Sequence, residues 1–164
     1  MTAPTAFRIH RWTTSERLGD IMAMIHTAFA GFEPPSGVLN ETVADLATRQ
    51  RDGLVLVAQA GERFIGSVFC ARKGDALYLT RLACAPDWRR RGVGRALMAA
   101  AESEARAGGA ARLTLRVRVT LPDNLAYFAS AGFAVTGEGQ EDGRTPFYTM
   151  ERRLSSPPRA HSTD

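Results

Sequence analysis

The chain has 164 residues, 45% hydrophobic and 23% charged, with a formal net charge of +4 and a sequence pI near 9.7. That is one domain, large enough to bury an apolar core without disulfides or metal; Cys70 and Cys84 sit in strand-like apolar runs and form neither a disulfide framework nor a zinc pattern. No apolar run is long enough to span a bilayer, and no charged segment leads into a signal-like apolar core, so a cytoplasmic protein without membrane contact is expected.

Phe7-Arg8-Ile9-His10 alternates as a first strand. Thr13 and Glu16 have the spacing of a capping box opening a helix, in which Leu18, Ile21, Met22, Ile25 and Phe29 recur at helical intervals. His26, beside that stripe, reads as a structural histidine. Residues 30–37, with Pro34 and Pro35 adjacent, form a loop, and Asn40 stands where a cap is expected for a second short helix carrying Val43 and Leu46. Leu54 to Ala58 is apolar on both faces, as an interior strand is. Gly61 turns the chain into the strand Arg63 to Ala71, and Lys73-Gly74-Asp75 turns it again into the strand Ala76 to Cys84. Strict alternation puts Tyr78, Thr80, Leu82 and Cys84 on one face of that strand and Leu77, Leu79, Arg81 and Ala83 on the other.

Next comes Ala85-Pro86-Asp87-Trp88-Arg89-Arg90-Arg91-Gly92-Val93-Gly94-Arg95: a proline-marked turn, a glycine loop and the first turn of an apolar-faced helix. The first amides of a helix have no intrahelical acceptors and lie at the positive end of its dipole, so this stretch predicts an anion cradle. Gly92 and Gly94 let a ligand approach the backbone. The spacing is neither a Walker A loop nor a dinucleotide fingerprint. The helix turns Val93, Leu97, Ala100, Ala101 and Ala105 inward, leaves Glu102, Glu104 and Arg106 to solvent, and stops at Gly108-Gly109. The strand Leu113 to Val119, with Thr114, Arg116 and Arg118 on its polar face, completes a βαβ crossover that requires parallel pairing. Pro122 opens a last helix ending by Gly132, and Phe133 to Glu138 pairs with Phe147 to Leu154 as a hairpin. Residues 1–154 form the domain, and residues 155–164, rich in Ser, Pro and Thr, are expected to be a disordered tail.

Arg89-x-x-Gly92-x-Gly94, preceded by Leu82-x-Cys84-x-Pro86, resembles the acyl-CoA-binding motif of the GCN5-related N-acetyltransferases, the GNAT superfamily, and the wider similarity runs from about residue 7 to residue 154. The resemblance implies a single-domain α/β fold with a mixed, splayed central sheet flanked by helices. It implies a cleft between Leu82-Ala83-Cys84, whose backbone would bond the pantetheine arm of acetyl-CoA, and the strand Leu113 to Val119. The amides of Arg91, Gly92, Val93, Gly94 and Arg95 would hold the coenzyme A pyrophosphate, with Arg89 and Arg90 adding positive potential. Asn124, Tyr127 and Phe128, sharing a face of the last helix, would line the same cleft. No metal is implied.

The activity implied is acetyl transfer to a primary amine, which needs the amine neutral and the thiolate protonated. Relatives often keep a glutamate where this chain has Thr80 and a tyrosine where it has Phe128. Tyr127 is adjacent to the second position but rotated by about 100 degrees; packing and proton donation both stay open for it. Tyr78, on the face of Thr80, is a second candidate for moving a proton through water. Arg116 and Arg118 set two guanidinium groups on one strand face, where solvation or pairing with an acceptor carboxylate would satisfy them. A non-catalytic acyl-CoA-binding module is favoured by the two missing groups, and an RNA- or ribosome-associated protein by the pI alone; scattered arginines and core-like aromatics argue against nucleic acid. The partners expected are acetyl-CoA and an amine acceptor, in a monomer or homodimer, with acceptor loops at residues 30–40 and 138–146.

Overall fold

Segments apolar on both sides make inner strands, and stripes of 3.6-residue period make the helices that cover them. In the computed structural model, which describes residues 6–32, 35–141 and 143–155, these give β1 (Arg8–Arg11), α1 (Leu18–Phe29), α2 (Val43–Asp52), β2 (Leu54–Ala60), β3 (Arg63–Lys73) and β4 (Ala76–Cys84). They continue as α3 (Val93–Ala107), β5 (Arg112–Arg118), α4 (Pro122–Ser130), β6 (Ala134–Glu141) and β7 (Thr145–Arg153). One sheet runs β1-β2-β3-β4-β5-β7-β6. Only the β4–β5 pair, joined through α3, is parallel; the others are antiparallel. The mixed, helix-flanked α/β sheet expected from the sequence is the observed fold.

Two layers cover the sheet unequally. On one face α3 packs its buried Val93, Leu97, Met98, Ala101 and Ala105 onto Leu77, Leu79, Leu113, Leu115 and Val117, with Leu125 and Phe128 of α4 at the margin. On the other face α1 and α2 cover β2, β3 and β4 through Ile21, Ile25, Leu46, Val57 and Phe69. Gly66 on β3 lets α3 come close: an added Cβ would lie 2.8 Å from Val93 Cγ1, 3.0 Å from Leu97 Cδ1 and 3.0 Å from the Ala83 carbonyl oxygen.

Several local expectations are corrected. The first helix has no capping box: Thr13 and Glu16 precede a start at Leu18, Arg17 enters it at φ 58 with no side-chain cap, and Glu16 instead gives its carbonyl to Trp12 Nε1. The second helix is capped by Thr42, whose hydroxyl accepts from Asp45 N–H while Asp45 accepts from Thr42 N–H at 2.8 Å; Asn40 ends a short 3-10 turn, Gly37–Asn40. Glu102 and Glu104 are half-buried ion-pair partners rather than solvated groups, Glu104 with Arg11 and Glu102 with Arg106 and Arg152. Residues 139–141 and 145–146, expected as loop, extend β6 and β7. Pro34 and residues 156–164 of the expected tail lie outside the described residues.

Candidate active site

The β4–β5 ladder is short. Ala76, Leu77 and Tyr78 pair with Arg112, Leu113 and Thr114, and then the strands part. Beyond that fork the groups of residues 80–84 that would have faced β5 lack a strand partner, although β4 keeps its other neighbour, β3.

Along this edge the alternation fails. Phe69 stands opposite Thr80 but Ser67 stands opposite Ala83, so Arg81 and Leu82 share one place on β3 as a β-bulge. Leu82 and Cys84 consequently pack with Leu77 and Leu79 on the α3 side, whereas Ala83 belongs to the α1 side. This corrects the face assignment made from strict alternation. Arg81 sits at φ 55, a left-handed conformation that costs a non-glycine residue about 1–3 kcal/mol. Two contacts hold it there. The hydroxyl of the fully buried Ser67 donates to the Arg81 carbonyl at 3.3 Å, and Glu41, ahead of α2, receives the Arg81 guanidinium through both carboxylate oxygens, with Arg49 3.1 Å from one of them.

At the end of β4 the chain enters the cradle. Pro86–Trp88 forms a 3-10 turn in which Trp88 is buried and Asp87 accepts two hydrogen bonds from Arg63, at 2.6 and 2.8 Å; these hold the Asp87 carboxyl below its usual range. Gly92 caps α3 at φ 82 with open space where a Cβ would stand, and the helical ladder begins only at Ala96, whose N–H donates to Gly92 C=O at 3.0 Å. Val93 is buried in the core, so its part in a ligand site is confined to its amide. The side chains of Arg90, Arg91 and Arg95 are exposed; Arg91 lies over the Trp88 ring, and Arg89 ties the loop to the Ala28 carbonyl at 3.2 Å.

The last helix divides its residues. Asn124 is exposed, whereas Phe128 packs into the core beside Phe133, so the shared face expected for Asn124, Tyr127 and Phe128 splits in two. The Tyr127 hydroxyl reaches the cradle: a Cβ at Gly94 would lie 3.3 Å from it. Desolvation raises the Tyr127 pKa, against a smaller opposing effect of Arg95, and so keeps the hydroxyl protonated at neutral pH. Burial likewise raises the Cys84 thiol, which donates to the Ala85 carbonyl at 3.5 Å; Cys70 is pushed up to about 12 by burial.

Thr114, Arg116 and Arg118 occupy the β5 face opposite α3. Arg118 is nearly covered, 3.6 Å from Glu141 and donating to the Pro35 carbonyl at 3.3 Å. Arg116 is exposed and stacks on Phe147 at 4.6 Å, with Tyr78 at 5.9 Å. A groove of about 530 Å³ flanks α1, lined by Arg17, Asp20, Thr27, Glu62, Phe64 and Pro86; none of its residues comes from β5 or α4, and Arg17 is already paired with Asp20 and Glu62.

Gly66, Ser67 and Glu41 were not singled out by the sequence. Only Gly66 carried a signal, since a lone glycine inside a strand marks a close approach. Among the described residues no helix is long and apolar enough to cross a membrane.

A model of the acetyltransferase (GNAT) family matches residues 20–133. No curated protein sequence matches the chain. Among solved structures, the ribosomal-protein-S18-alanine N-acetyltransferase of Escherichia coli superposes with a TM-score of 0.77 at 22% identity, covering 94% of this chain and 97% of that one. Ard1 from Thermoplasma volcanium gives 0.78 at 20% identity, covering 92% and 99%. The PaiA N-acetyltransferase of Thermoplasma acidophilum, solved in complex with coenzyme A, gives 0.75 at 19% identity, covering 91% and 99%.

Proposed function

Because the chain belongs to the acetyltransferase (GNAT) family, we propose that it transfers the acetyl group of acetyl-CoA to a primary amine, by direct attack while both substrates are bound. The observation that carries this is the junction of two backbone features: the edge of β4 released from β5 runs into the loop that becomes the N-terminus of α3. Such a surface complements a ligand with an extended, amide-containing arm and a phosphate-rich end. Residues 80–84 offer unpaired backbone groups to the first, and the amides of Arg91 to Arg95, with Arg89 and Arg90 nearby, offer donors and positive potential to the second.

Bound there, the thioester supplies an electrophilic carbonyl whose oxygen gains charge as an amine attacks. The bulge sets Arg81 and Leu82 against a single place on β3 and so interrupts the ladder, and the Ser67 and Glu41 contacts fix that backbone, so that an N–H there would be ready to meet the charge before reaction begins. Tyr127 keeps its proton at neutral pH, and its hydroxyl is felt by Cys84 at the end of the β4 edge along which the thioester arm would run, which suits it to protonate a departing thiolate. Cys84 stays a neutral thiol, which favours direct transfer over an acyl-cysteine route. Glu41, the carboxylate bound to Arg81, is not free to stand in for one at Thr80: its oxygens are taken by Arg81 and Arg49. Tyr78, where the ladder ends, is placed to pass the amine's proton to water. The E. coli neighbour, named for acetylating an alanine of a ribosomal protein, puts peptide N-termini beside small amines among the acceptors to assay.

Calorimetry with acetyl-CoA on Gly94→Val tests the site. The added side chain drives against the Tyr127 hydroxyl and the cradle amides, and affinity falls by about tenfold or more in a variant that still shows its native circular dichroism. Unchanged affinity would sink the assignment, and turnover of an amine panel by the parent protein separates an enzyme from a silent binding module.

A further inference from the structure

Arg116 is the exposed cation of the uncovered sheet face, and its setting differs from that of Arg118 two residues on. Arg118 is spoken for by Glu141 and the Pro35 carbonyl. Arg116 has no carboxylate or carbonyl partner among the described residues; it is held by aromatic rings, Phe147 at 4.6 Å and Tyr78 at 5.9 Å. Stacking occupies the faces of a guanidinium and leaves its in-plane N–H groups free to grip a planar anion through two hydrogen bonds.

The platform is built from several strands. Phe147 is 8% exposed and fits only because position 139 is glycine: a Cβ there would come within 2.7 Å of the ring. Tyr78 carries Lys73, the only lysine of the chain, 4.0 Å above its ring, so a second cation borders the place. Tyr78 is also the last β4 residue paired with β5, which sets the platform at the mouth of the cleft. Arg116 lies two residues past Thr114 on β5, as Thr80 lies two past Tyr78 on β4, and the bulge begins at the next β4 residue, about 3 Å further along at a rise of ~3.3 Å per residue. An acceptor gripped here by an acidic group would carry its amine toward the bulge if the two were separated by a few bonds.

We infer that Arg116, stacked on Phe147 and Tyr78, is the acceptor-recognition residue, and that the preferred acceptors are amino-acid-like amines bearing a carboxylate a few bonds from the amine. This inference rests on the acetyltransferase reading. Polyamines are disfavoured, since Arg116 and Lys73 repel them at the mouth of the cleft.

Two readouts keep the inference and its premise apart. In the first, the protein saturated with coenzyme A is titrated by calorimetry with alanine against alaninamide and glutamate against glutamine, so binding is read without turnover. In the second, kcat/KM with acetyl-CoA is measured for the same acceptors. The acid of at least one pair is expected to bind about tenfold tighter than its amide, and Arg116→Ala is expected to erase that preference while leaving acetyl-CoA affinity unchanged. Arg116→Lys, which keeps the charge and loses the planar fork, is expected to restore only part of it. Comparing ratios between parent and variant cancels the intrinsic difference in amine basicity. Equal binding of acid and amide, binding of neither, or a preference that survives Arg116→Ala overturns the inference. An Arg116-dependent preference in a protein that acetylates no amine leaves the carboxylate site standing and removes the transferase reading instead.

Discussion

The cradle and the acceptor platform lie on one sheet and are built in opposite ways. The cradle is a backbone device: eleven consecutive residues, Ala85 to Arg95, bring amides together, and their side chains face solvent or core. The platform is a side-chain device assembled from β3, β4, β5, β6 and β7, in which Lys73, Tyr78, Arg116 and Phe147 meet over a gap left by Gly139. The difference divides the labour: a ligand handle common to many relatives can be met by main-chain atoms, whereas an acceptor that varies calls for groups that single substitutions can change.

The largest expected effect strikes what the backbone device rests on. Gly66→Val places side-chain atoms where Val93, Leu97 and the Ala83 carbonyl already are, and is expected to cost about 3 kcal/mol in chemical denaturation. A loss under about 0.5 kcal/mol would show that the α3–β3 contact yields freely and that the cradle does not depend on it. Next is the one side chain given a chemical task at the cradle. Tyr127→Phe is expected to lower kcat about a hundredfold at unchanged acetyl-CoA affinity, because the hold proposed for the cofactor there is by amides. Phe128→Tyr, placing its hydroxyl in the core-facing position, is expected to leave kcat within about threefold. The reverse pattern would transfer the acid role to position 128.

The smallest effect concerns the α2 cap, beside the Glu41 that steadies the bulge. Thr42→Ala is expected to lower stability by about 1 kcal/mol in urea unfolding at neutral pH. Hydrogen bonds from the Thr42 backbone and hydroxyl hold the Asp45 carboxyl below its usual range. Since that folded-state pKa is depressed, its contribution is complete above the ordinary carboxylate range and is lost as pH falls through the depressed value. The stability gap between parent and Asp45→Asn should therefore narrow on acidification, and a gap that widens would refute the cap's ionic character.

The same division explains what could be read in the chain beforehand. The loop and helix start of the cradle were legible because its proline, arginine, glycines and helix stripe are contiguous, and the strands, the β4–α3–β5 crossover and the final hairpin followed because each apolar run kept its period. The faces of β4 were not, because the extra residue at Arg81–Leu82 is fixed by Ser67 and Glu41, residues 14 and 40 positions away. Arg116 and Arg118 look alike in an alternating pattern; Phe147 and Glu141, from the final hairpin, and the Pro35 carbonyl tell them apart. The helix starts slipped for local reasons of the same kind: Thr42 with Asp45 outcompetes Asn40, and a left-handed Arg17 delays the first helix past Thr13 and Glu16.

The fork between β4 and β5 has a consequence for how long the molecule lasts. A sheet that stops pairing partway can be completed by whatever lies along the released edge, so a ligand bound there would act as an additional strand as much as a reactant. Anything that binds the folded chain and not the unfolded one raises stability with its concentration, by about 2.7 kcal/mol at a hundredfold excess over its Kd. The supply of such a ligand would then set the lifetime of the protein against proteolysis as well as its rate of work, with the chain most fragile when the ligand is scarce.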